Sequence, residues 1–141
     1  MVKDRMVWLN GDFISWDSAT VPIMSHSFGR GSAIFEVISF HDTTRWPAVF
    51  RLEAHIDRLF RSAELLDMTL PYSKEALCDA VVSTIKRNRL SQGFIKIICF
   101  YPEISFEIIP PDRQLSVSVF ALDPEQDLGA RGDPFTEGTT A

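Results

Sequence analysis

Two arginines three positions apart, Arg58 and Arg61, are the first residues whose types and spacing could do chemistry. They sit in FRLEAHIDRLFRSAELL, residues 50–66, a stretch with the 3.6-residue apolar period of a helix. Arg61 has Asp57 four residues before it and Glu64 three after, so helical ion pairing accounts for it. Arg58 has Ala54, His55, Arg61 and Ser62 at those spacings, and no carboxylate. Two readings stay open for it. One is a surface guanidinium that snorkels or pairs with a distant acid. The other is an anion site, because free guanidinium donors suit a phosphate or a carboxylate.

Other reactive side chains give weaker patterns. His26, His41 and His55 fall on three separate elements without metal-ligand spacing, which reads as structural or exposed histidines. His55, one turn before Arg58, is placed to pack between helix and sheet or to orient a neighbour. Cys78 and Cys99 fit neither a disulfide framework nor a zinc site and read as reduced core residues. Neither has a paired base nearby, so a thiol nucleophile has no support. Gly29-Arg30-Gly31 lacks the strand–GxGxxG–helix context of a dinucleotide loop, and Arg131-Gly132-Asp133 is a chance tripeptide in a linker. The four lysines are Lys3 in the N-terminal tail, Lys74 and Lys86 on a polar helix, and Lys96 on a strand.

The elements that must position these residues follow from pattern and punctuation. Met6–Leu9 and Phe13–Trp16 flank Asn10-Gly11, the preferred pair for a tight hairpin turn. Ser32–Phe40 and Trp46–Leu52 form a second expected antiparallel pair. The helix carrying Arg58 ends near Asp67, with Leu52, Ile56, Leu59, Ala63 and Leu66 as its core stripe. Pro71-Tyr72-Ser73 separates it from a second helix, Lys74 to about Arg89, with Ser73 as its N-cap. Phe94–Tyr101 and Gln114–Leu122 read as two further strands. From Asp123 the text becomes DPEQDLGARGDPFTEGTTA, which has linker composition. Hairpins, two helices and then more strands predict an α+β fold, a mostly antiparallel sheet with two helices packed on one face.

Composition narrows the function classes. With 141 residues the chain is one domain's worth, and 45% hydrophobic and 23% charged residues are ordinary for a folded soluble protein. A net charge of −5 without a basic run argues against nucleic acid and acidic membranes as partners. The N-terminus, MVKDRMVWLNGDF, has charges where a signal peptide would need an apolar run, and no apolar run reaches the roughly 18 residues of a membrane span. A cytoplasmic location is expected.

Three blocks carry a family resemblance: Val7-Trp8-Leu9-Asn10-Gly11, the run from Ser25-His26-Ser27-Phe28-Gly29-Arg30 to Phe35-Glu36, and Phe50-Arg51-Leu52-Glu53-Ala54-His55-Ile56-Asp57-Arg58-Leu59. In order and spacing they resemble the small N-terminal domain of class IV (fold-type IV) pyridoxal-phosphate aminotransferases. That group includes branched-chain and D-amino-acid aminotransferases and aminodeoxychorismate lyases. The resemblance runs from about Val7 to about Leu122. It implies that Arg58, in H-x-x-R-L, binds the phosphate of pyridoxal 5'-phosphate. It also implies that Phe35 borders the substrate side-chain pocket. Arg30 stands where branched-chain enzymes have tyrosine, and could meet a second substrate carboxylate or lie at a dimer surface. Lys96 stands where they have a pocket-organising arginine; the charge is kept and the bidentate fork lost. For Lys96 a solvent-facing strand lysine is the other reading.

The resemblance further implies a homodimer acting on an amino acid and a 2-oxo acid. Residues 1–122 would be the small domain and residues 123–141 the interdomain linker. Transamination needs a lysine that bonds the cofactor's aldehyde and an acid near its pyridine nitrogen. In the family both come from a large domain, and none of the four lysines matches the catalytic one, so this chain alone is expected to be inactive. The alternatives are a non-catalytic folding or dimerisation module, and aminodeoxychorismate-lyase-like activity in the complete protein.

Overall fold

The backbone first reverses at Asn10-Gly11, where φ is 48° and 97°. Two successive positive φ values are what a two-residue type I′ turn requires, and Asn-Gly adopts them most readily. In the computed structural model, which describes residues 1–43 and 47–129, this turn joins β1 (Met6–Leu9) to β2 (Asp12–Ser15). Asn10 also ties the turn to the strand on the other side of β1: the Val117 amide donates to its Oδ1 at 2.9 Å.

A short helix, α1 (His26–Arg30), precedes β3 (Ile34–Asp42) and β4 (Pro47–Val49). Then come α2 (Leu52–Leu65), α3 (Lys74–Arg87), β5 (Gln92–Phe100) and β6 (Ser116–Leu122). The six strands form one sheet in the order β2-β1-β6-β5-β3-β4, and every pairing is antiparallel. Helix α2 packs on β3, and α3 packs on β6 and β1. The expected α+β fold is the observed one.

Strand alternation decides which side chains reach the core. Ile34, Glu36, Ile38 and Phe40 of β3 are buried, whereas Phe35, Val37, Ser39 and His41 are exposed. The same parity buries Ile95, Ile97 and Cys99 on β5 and Val117, Val119 and Ala121 on β6. Against them α2 lays Ile56, Leu59 and Ala63, and α3 lays Leu77, Ala80, Val81 and Ile85. Leu59 and Leu77 are fully buried, so truncating either to alanine would cost about 2–5 kcal/mol.

Helix α3 begins as its sequence predicts, with Ser73 Oγ accepting from the Ala76 amide at 3.1 Å. Glu75 in its first turn and Lys86 and Arg87 in its last complement the helix dipole. Helix α2 ends earlier than its apolar stripe suggests. Leu66 has left the helical path and is 58% exposed, so the stripe is one residue shorter than expected. Helix α1 has too few residues for a period to register. Its Ser25 cap, accepting from Phe28 N at 3.2 Å, and Gly31 at φ 69° are local signals.

The segment with linker composition starts with order. Pro124–Asp127 forms a helical turn, α4, capped by Asp123, and Asp127 is buried. Trp46 and the Arg131-Gly132-Asp133 tripeptide lie outside the described residues. Among the described residues no helix is long and apolar enough to cross a membrane.

Candidate functional site

Glu36 is a carboxylate on the core face of β3, its side chain only 5% exposed. A buried charge of this kind requires hydrogen-bonded partners, and α2 supplies two from one of its flanks. Arg58 Nε donates to Glu36 Oε1 at 2.7 Å and Arg58 Nη2 to Oε2 at 2.7 Å. His55, one turn earlier, has its Nδ1 2.9 Å from Oε2 and donates to it. The Arg58 guanidinium holds the Glu36 carboxyl below the usual carboxylate range, against the opposing effect of burial. Arg58 therefore has the distant acid that one of its two readings called for. It is nevertheless 61% exposed, and its Nη1 has no partner among the described residues. The fork is half engaged.

The pair stands at a free edge. Strand β4 pairs only with Phe40, His41 and Asp42 of β3. Among the described residues, Ile34–Ile38 therefore has no neighbour on the side away from β5.

The remaining site candidates lie elsewhere. Phe35 and Lys96 are on the sheet face opposite the helices, where Lys96 Nζ sits 4.8 Å from the Phe35 ring centroid in a cation–π contact. The structure thus brings these two together and separates them from Arg58 by the sheet. Arg30, at the end of α1, donates from Nη2 to the Phe106 carbonyl at 2.9 Å. On the same open face an apolar groove of about 350 Å³ is lined by Val7, Trp16, Phe28, Ile98, Phe100 and Phe120.

Arg61 departs from its expected pairing. Asp57 is taken by Lys74 Nζ at 2.9 Å, across the interface between α2 and α3, and Arg61 makes no ion pair with a described residue. The tertiary contact wins because it brings a cation from a second helix to the same carboxylate. His26 is buried and fully satisfied, with Nδ1 2.7 Å from Ser32 Oγ and Nε2 3.0 Å from the Ile108 carbonyl. His41 is exposed. Burial pushes the Cys99 thiol up to about 12. Cys78 is half-buried and also raised, by burial first and then by nearby carboxylates, so neither thiol is activated.

No local motif marks Glu36 in the sequence. The signal was its parity: it shares the core face of β3 with Ile34 and Ile38, and a carboxylate there must find a cation. Arg58 was the helical arginine without a local partner.

The antiparallel sheet with two helices on one face thus carries Glu36, Arg58 and His55 together at its free edge. The family profile described as "Amino-transferase class IV" matches residues 33–138, and the chain belongs to that family. Its relatives carry a more particular name. The branched-chain-amino-acid aminotransferase of Pseudomonas aeruginosa is 34% identical over 99 residues, covering 70% of this chain and 32% of that protein. Among solved structures, the branched-chain amino acid aminotransferase of Escherichia coli superposes with a TM-score of 0.80 at 30% identity, over 85% of this chain and 41% of that one. A branched-chain aminotransferase from T.th., complexed with N-(5'-phosphopyridoxyl)-L-glutamate, gives 0.81 at 29% identity, over 87% and 42%. The chain spans about a third to two fifths of the length of these relatives.

Proposed function

We propose that the protein carrying this chain transfers an amino group between an amino acid and a 2-oxo acid with pyridoxal 5'-phosphate. In this reading the chain supplies the anchor for the cofactor's phosphate. The observation that carries it is Arg58: a guanidinium at an open sheet edge, held on one side by Glu36 and with Nη1 unengaged among the described residues. Its donor set fits a phosphate. Family membership and the phosphopyridoxyl group in a relative's structure support the cofactor. When bound, the cofactor supplies the electron sink for chemistry at the amino-bearing carbon.

The chain's own residues bind and orient. Arg58 holds the phosphate, and Phe35 with Lys96 forms part of the substrate wall on the open face. Arg30 is assigned to the same substrate wall, and its guanidinium is held by the Phe106 carbonyl. The names of the relatives support an amino acid with a branched apolar side chain. Lys74 is paired with Asp57 and Lys96 is engaged over the Phe35 ring, and the covalent lysine is assigned to the length of the relatives that this chain does not span. Residues 1–122 are assigned to the small domain and 123–141 to the interdomain linker, whose first turn, Pro124–Asp127, is pinned back on the domain by Arg5. The exposed apolar side chains Phe35, Phe28 and Phe94 support a homodimer, and the protein is assigned to the cytoplasm.

The test is a comparison of pyridoxal 5'-phosphate with pyridoxal, titrated into the chain and into Arg58→Ala. The phosphate ester should bind more tightly to the parent chain, and Arg58→Ala should remove that advantage while the circular-dichroism spectrum is unchanged. An advantage that survives the substitution would defeat the reading.

A further inference from the structure

We propose that Glu36 is a positioning residue for anion recognition: it fixes the Arg58 guanidinium so that Nη1 and the outer edge of Nη2 are presented to a phosphate. This rests on the phosphate reading of Arg58 given above. Arg58 is an exposed side chain on a helix surface, with four rotatable bonds and no intrahelical carboxylate partner. Left alone it would sample many rotamers. Glu36 removes that freedom. Its two oxygens take Nε and Nη2 at 2.7 Å each, a bidentate geometry that defines the guanidinium plane.

Glu36 is itself fixed from three directions. It is a residue of β3, whose pairing with β5 runs without interruption from Ile34 to His41. Its side chain is buried under α2. His55 Nδ1 holds Oε2 at 2.9 Å and so opposes rotation of the carboxylate. The orientation of an exposed arginine is thus set by the rigid part of the sheet.

Charge and orientation act in opposite senses here. A carboxylate beside the anchor cancels part of its positive charge, which weakens attraction for phosphate. Glu36 can favour phosphate only by orienting the fork. Another role for it, as an inward-pointing charge that blunts the free edge of β3, leaves phosphate discrimination untouched.

The measurement is the ratio of affinities for pyridoxal 5'-phosphate and pyridoxal in the parent chain, Glu36→Gln, Glu36→Asp and Arg58→Ala. Positioning predicts that Glu36→Gln lowers the ratio roughly tenfold, by analogy with the lower end of what outer-sphere partners contribute at metal sites. Glu36→Asp keeps the charge, is one methylene short, and should lower it as well. A ratio that is unchanged or raised in Glu36→Gln overturns the inference. If Arg58→Ala also leaves the ratio unchanged, the phosphate reading itself fails; if only Arg58→Ala lowers it, Arg58 binds phosphate without help from Glu36.

A second readout needs no variant. The Arg58 Nε–Hε resonance should remain sharp and slow to exchange with and without pyridoxal 5'-phosphate. Its collapse on titration would mean that Arg58 releases Glu36 to take the phosphate, and the inference would be wrong.

Discussion

Arg5 and Asp127, 122 positions apart, share a buried ion pair in which Arg5 Nε lies 3.0 Å from both carboxylate oxygens. The pair fastens the segment before β1 to the turn that follows β6. Arg5 Nη1 also donates to the Asn88 carbonyl at 3.2 Å, and Asp127 Oδ2 accepts from the Asp123 amide at 2.9 Å. Both side chains are nearly inaccessible, at 10% and 0%. Removing one partner therefore strands a buried charge. Asp127→Ala should lower stability by about 3–5 kcal/mol, read as a drop in the urea midpoint at neutral pH. Arg5→Met with Asp127→Leu, which removes both charges, should recover most of that loss; equal losses in the single and double variants would refute the account.

Gly93 tolerates no side chain. Its φ is +142°, and a Cβ built there would lie 1.9 Å from the Leu122 carbonyl oxygen. That oxygen belongs to backbone at the end of β6, just before the Asp123 cap, and cannot swing aside. Gly93→Ala should destabilise the fold by about 2–4 kcal/mol. Amide exchange should quicken first at Leu122 and Asp123. Uniform quickening over the whole sheet would point to a different cause.

Acid should weaken the link between α2 and β3. Glu36 has its folded-state pKa lowered, first by the Arg58 hydrogen bonds. A lowered carboxyl contributes stability that is present above its unfolded value, about 4.3, and is lost as pH falls through the lower folded value. The urea midpoints of the parent chain and Glu36→Gln should differ at pH 7 and converge below pH of about 4. A difference that stays constant down to pH of about 3 would show that the carboxylate's charge is not what stabilises.

The two cysteines should react at different rates. Cys99 is fully buried with its thiol pushed up to about 12, whereas Cys78 is half-buried. Only Cys78 should be labelled by a thiol reagent in the native protein at pH of about 8, with Cys99 following on unfolding. Equal native rates would contradict the packing of β5 against the helices.

Much of this architecture is local in origin. Asn10-Gly11 commits the first hairpin, because few other pairs take two positive φ values. Ser73 marks the start of α3, and the alternation in Phe94–Tyr101 and Gln114–Leu122 decides which residues of β5 and β6 enter the core. Arg58 stands out because every residue within one helical turn of it is known, and none at helical pairing distance is an acid. These features depend on neighbours a few positions away, and periodicity reaches that far.

Where Arg58 points was decided only by tertiary structure. Glu36 is 22 positions away, and it meets Arg58 because the sheet order brings β3 beneath α2. The same holds for Lys74, which takes Asp57 from Arg61, and for Arg5, which converts a stretch of linker composition into the buried turn at Asp127. A charged side chain shows its type in the sequence, but its partner is set by which elements pack together. That packing follows from burying the apolar faces of the sheet and helices, and the ion pairs form among the charges it brings within reach.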